Sequence, residues 1–192
     1  MTYNVTLVRV GDFTVNEDDI ATRLKSLFDD VIQSDRGLSR RFDELTAVTW
    51  TRSCPDRYNA WDLLIYFMVS NYDSVVQALN RDAQPGPGGM TTWRFQGQGS
   101  GRTEETGSEV YANTGGGDSN GLANLAFHEA LHNKGHFSDA TLHPNGGLAG
   151  ATVTPTTAMT PGVRRLMAGI LGGNRPQWLG GCTYYNDPLR GT

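Results

Sequence analysis

The chain has 192 residues, 38% hydrophobic and 19% charged, which is an ordinary globular composition and enough length to bury one core. Its formal net charge of −4 argues against a general nucleic-acid binder, and its 24 glycines point to many loops. The longest apolar run, residues 63–69, is too short to cross a bilayer, so no membrane partner is expected.

The first residues lack a basic start followed by an apolar stretch, so no secretory signal is expected and synthesis in the cytoplasm is the expectation. Cys54 and Cys182 allow one disulfide or two thiols, thiols being favoured. Residues 1–192 are expected to form a single domain, with 95–121 as a glycine-rich loop region.

In chain order, "YNVTLVRV" alternates well enough for a half-buried strand. After it, Ile20, Leu24, Leu27, Phe28, Val31 and Ile32 form one helical stripe, with Asn16 as N-cap, acids at 17–19 and Gly37 just beyond the end. "ELTAVTWTRS" predicts a strand, and the unbroken apolar run in "WDLLIYFMVSN" predicts a central strand covered on both faces. "DSVVQALN" suggests a short helix, "PGPGG" a break and "TTWRFQGQ" an edge strand, with one further short strand around Val110 and Tyr111. A helix is expected from Leu122 to about Lys134, capped by Asn120 and stopped by Gly135. "PGVRRLMAGILGG" closes as a short helix with Pro161 in its first turn.

All four histidines, His128, His132, His136 and His143, lie within "LAFHEALHNKGHFSDATLHPNGG". Residues four apart stand on one helical face, so His128 and His132 can point at one metal ion. Glu129 is one position round from His128 and is poorly placed as a ligand, but it can deprotonate a metal-bound water. The H-E-x-x-H spacing therefore points to Zn2+. His136 would lie ~12 Å beyond His128 on a continuing helix, out of reach. No glutamate follows Glu129, so the third ligand is sought in His143, or as second choice Asp139, both beyond Gly135. Pro144 and the two following glycines can fix a turn that presents His143, leaving Asp139 to orient a ligand imidazole.

The order of elements, with H-E-x-x-H and Gly135 seven residues after His128, resembles the metzincin metallopeptidases. That resemblance implies a third ligand three residues after the glycine, where Ser138 stands instead. It also implies a methionine turn beneath the metal, a position Met159 suits, whereas Pro161 occupies the place of a tyrosine found in some members. "SDATLH" is faintly similar to the aspartate-bearing segment of the aspzincins.

The expected fold is α/β and zincin-like: a twisted, mostly parallel sheet with an antiparallel edge strand, an active-site helix and a C-terminal helix. The expected function is zinc-dependent endopeptidase action on a protein or peptide substrate, extended along the strand around Trp93 and Phe95, with Glu129 as general base. The alternative is a non-catalytic binding or structural module stabilised by zinc.

Overall fold

The computed structural model describes residues 1–52, 62–68, 88–96, 103–112 and 117–173. Cys54, Cys182 and the helix expected at 73–80 lie outside these residues.

Alternation along Tyr3–Val10 yields strand β1, whose Tyr3, Val5 and Leu7 are buried on one face. The stripe expected after it forms helix α1, Glu17–Ser34, with the six apolar residues buried. The Asn16 side-chain Oδ1 caps it by accepting from the Asp19 N–H at 3.2 Å. Gly37 does not stop this helix. Asp35 ends α1 and at once caps a second short helix, α2 (Arg36–Arg41), accepting from the Gly37 and Leu38 N–H groups at 2.8 and 2.9 Å. The carboxylate satisfies two orphan donors, so the chain restarts a helix where composition suggests a loop.

Strands β2 (Thr46–Thr51), β3 (Leu63–Met68), β4 (Gly89–Gln96) and β5 (Thr103–Tyr111) complete one sheet in the order β2-β1-β3-β5-β4. β3 is central, and all six of its residues are buried. The pairs β1–β2, β1–β3 and β3–β5 are parallel, whereas β4 runs antiparallel to β5 at the edge. The fold is therefore α/β with a mostly parallel sheet. One difference from expectation is β5: a nine-residue strand crosses the stretch 95–121 and separates the central strand from the edge. Its "TEETGSEVY" lacks an apolar run, and its backbone pairing with two neighbours supplies what its side chains do not signal.

The main core lies on one sheet face, where Val5, Leu7, Leu63, Ile65 and Phe67 meet the helices. Phe28 of α1 packs between Tyr3 and Phe127 in tilted contacts, with ring centroids 5.4 and 5.1 Å away. Val8, Leu64, Tyr66, Met68 and Tyr111 form a smaller cluster on the other face.

Helix α3, Ser119–Gly135, runs through the main core and is buried along most of its length. Its N-cap is Asp118, whose carboxylate accepts from the Gly121 N–H at 2.9 Å, two residues earlier in the chain than the expected cap Asn120. Gly135 is still helical, and His136 takes the left-handed conformation that ends the helix. The glycine serves packing instead: a Cβ there would lie 2.5 Å from the Phe137 ring and 3.1 Å from Ile170. Three short pieces follow: α4 (Asp139–Leu142) and the 3-10 turns His143–Asn145 and Gly147–Ala149. Helix α5, Pro161–Gly173, closes the described chain, with the Thr160 hydroxyl accepting from the Val163 N–H. Among the described residues no helix is long and apolar enough to cross a membrane.

Candidate metal centre

His128 and His132 stand one turn apart on α3, and both are almost fully buried. The third member of the cluster is His143. The ligand atoms of these three residues all lie within 4.8 Å of one another, and the group could hold a metal ion. His136 and Ser138 do not join it. His136 is committed to the helix terminus, and the Ser138 hydroxyl pairs with that of Thr141 at 3.1 Å.

The return of the chain explains the reach of His143. The left-handed residue at 136 turns the backbone, and the Phe137 N–H bonds back to the His132 carbonyl at 3.2 Å. The short helix α4 then carries the chain past Ser138, and His143 follows in helical conformation, donating its N–H to the Asp139 carbonyl. Pro144 lies in the 3-10 turn, while Gly146 and Gly147 both have positive φ, at 63° and 55°. Gly147 is required twice over, because a Cβ would also lie 2.7 Å from the Thr160 methyl and 2.9 Å from the Ala158 carbonyl. The segment carrying Met159 thus packs directly against the loop that follows His143.

Backbone carbonyls set the tautomers of the two helical imidazoles. His128 Nδ1 lies 2.9 Å from the Leu148 oxygen, and His132 Nδ1 lies 2.6 Å from the Phe137 oxygen. A carbonyl only accepts, so each Nδ1 carries the proton and each Nε2 presents a lone pair. The orienting partner is therefore main chain in both cases, not the Asp139 carboxylate. Burial pushes the His128 imidazole down to about 4 and lowers that of His132 as well, which keeps both neutral.

The two Nε2 atoms face each other at 3.1 Å. With both protons on Nδ1, nothing between them donates, so two lone pairs confront one another in a buried site. A cation placed among the three nitrogens removes that repulsion, and neutral imidazole is the form that ligates. The donor set fits a metal ion on its own chemistry.

Glu129 is buried on the sheet side of α3. Its Oε2 accepts from the Thr91 hydroxyl at 2.7 Å, and Gly89 lets β4 come close, since a Cβ there would sit 2.7 Å from Oε1. A one-way relay leads to the carboxylate: Asn133 Nδ2 donates to Ser108 Oγ at 2.9 Å, Ser108 lies 2.9 Å from Thr91, and Thr91 donates to Glu129. Burial pushes the Glu129 carboxyl up to about 8, against the opposing bond from Thr91. A nearby cation favours the ionised form.

Thr91, Ser108, Asn133 and Gly89 have no motif in sequence, nor do the Leu148 and Phe137 carbonyls. Asn124 is a further case. Its amide donates to the Thr154 carbonyl at 2.9 Å and accepts from Arg23 at 3.4 Å, tying α1 and α3 to the loop before Met159. No protein family, curated protein or solved structure matches this chain.

Proposed function

We propose that this chain is a zinc-dependent metallopeptidase of metzincin-like design. The observation that carries the reading is the meeting of three imidazoles, two of them neutral with their Nε2 lone pairs facing each other on the helix that also bears a buried carboxylate next to the first of them. The 3.1 Å between the Nε2 atoms of His128 and His132 suits two nitrogens that would share one zinc ion, with His143 within reach of both. Zinc, when bound, supplies Lewis acidity toward a carbonyl and lowers the pKa of water.

The rest of the chemistry belongs to the chain. His128, His132 and His143 hold the ion, with the Leu148 and Phe137 carbonyls fixing the first two rings. Glu129 takes the proton of the attacking water and returns it to the leaving amine. Its raised proton affinity suits a group that must accept and release a proton near neutrality. An extended protein or peptide substrate pairs main chain to main chain with β4, the antiparallel edge strand that also carries Thr91. Met159, in the segment packed on Gly147, takes the place of the methionine turn.

Hydrolysis of casein or a quenched peptide library, with chelator and then with restored zinc, tests this reading. Activity is expected only with zinc, and Glu129→Gln is expected to lose about 10²- to 10⁴-fold while keeping its metal. Full activity in Glu129→Gln excludes it as the base. A zinc-loaded protein with no hydrolysis favours a non-catalytic zinc-stabilised module.

A further inference from the structure

Granted that the three histidines hold zinc, we propose that Asp139 is a fourth protein ligand, closing the shell in the resting protein and withdrawing when substrate arrives. Asp139 and His143 stand four residues apart at the start and end of the turn α4, as His128 and His132 do on α3. Two such pairs face each other. The Asp139 Oδ1 lies 3.7 Å from His132 Nε2 and 3.7 Å from His143 Nε2, too far for hydrogen bonds and within the spacing of atoms that share one ion.

Position decides the carboxylate's role. The side chain of His132 is 6% exposed and that of His143 25%, whereas that of Asp139 is 82% exposed. Asp139 therefore approaches the cluster from the solvent side, where a catalytic zinc keeps its open position. A buried carboxylate would be a permanent ligand. This one can leave, because water solvates it as soon as it rotates away. The aspartate is also the first residue of α4, but a favourable helix terminus does not require its oxygen to sit between two imidazole nitrogens. Occupation by Asp139 gives a latent site with three nitrogens and one oxygen, and its withdrawal exposes the position to a substrate carbonyl or to an anionic inhibitor.

The test uses the full chain, stripped and reloaded with Co2+, whose visible spectrum reports coordination. Wild type, Asp139→Ala and Asp139→Asn are compared by spectrum, by Co2+ affinity against a competing chelator and by titration with acetohydroxamate. Both variants are expected to change the spectrum and weaken Co2+ by about 10- to 100-fold. Acetohydroxamate is expected to bind them at least ~10-fold tighter than wild type, since no carboxylate competes for the position. The asparagine variant preserves size at an exposed position, so a folding defect in the alanine variant leaves the comparison standing. Spectra and affinities identical to wild type in both variants overturn the role of Asp139 and leave the three-histidine site intact. A wild-type protein that takes up no Co2+, like a His128→Ala control, overturns the site and with it the proposal.

Discussion

Helices α1 and α3 pack side by side in the same core, yet they are built on opposite plans. In α1 every buried residue is apolar and the remaining positions are half-buried or exposed. In α3 burial extends almost all round, taking in Asn124, His128, Glu129, His132, Asn133 and Lys134. Burial pushes Lys134 down to about 7, against the opposing pull of Asp62. A buried polar side chain costs free energy unless something answers it. The first helix therefore stores stability, and the second spends part of it on holding polar groups that distant carbonyls and hydroxyls answer, with three imidazoles that could hold a metal ion.

The contrast breaks first at the ligands. His132→Ala is expected to weaken zinc by about 10³-fold or more, because it removes one of three nitrogens and the return contact to Phe137. Chelator competition measures this, and an unchanged affinity would place the ion elsewhere. Phe28→Ala on α1 should do the reverse. It removes a fully buried ring packed on Tyr3 and Phe127 and is expected to cost about 3–5 kcal/mol in urea unfolding of the metal-free protein. Zinc affinity, measured well below the unfolding transition, should stay within about 2-fold of wild type, because the ring pairs with Tyr3 and Phe127 in the apolar core and supplies no ligand.

A subtler difference concerns pH. In metal-free protein the Glu129 carboxyl titrates at about 8, against 4.5 when unfolded, so the folded state binds its proton more tightly. Its contribution is whole below about 4.5 and is lost as pH rises through about 8. Glu129→Gln cannot titrate. Urea midpoints measured in chelator should therefore show the variant gaining on wild type as pH climbs across that window. Comparing the two proteins cancels the opposing effects of His128 and Lys134. A difference that stays flat from pH 4.5 to 8 would mean that Glu129 is not desolvated.

Sequence showed α1 plainly, cap included, because its pattern is a folding pattern with period 3.6. It also showed β1, the doubly covered β3 and the antiparallel edge β4. Within α3 the His128 and His132 pair was legible because four-residue spacing is local geometry. His143 required a guess about the return of the chain, and the device used was hidden: a left-handed histidine rather than Gly135, then a short helix rather than a loop. The polar relay was illegible for a different reason. Thr91 and Ser108 meet Glu129 only through the pairing of β4 with β5, and nothing in "TEETGSEVY" announces a strand between the central one and the edge. Local periodicity records what one element buries, and it does not record which distant hydroxyl completes a carboxylate.

The most direct measurement is the metal content of the purified protein. Wild type and His143→Ala are prepared without added metal or chelator, and both are analysed for bound elements. About one zinc per chain is expected in wild type, since His128, His132 and His143 form a single cluster among the described residues, and His143→Ala should retain little. A metal-free wild type that also fails to take up added zinc, or equal zinc in the two proteins, would contradict the account.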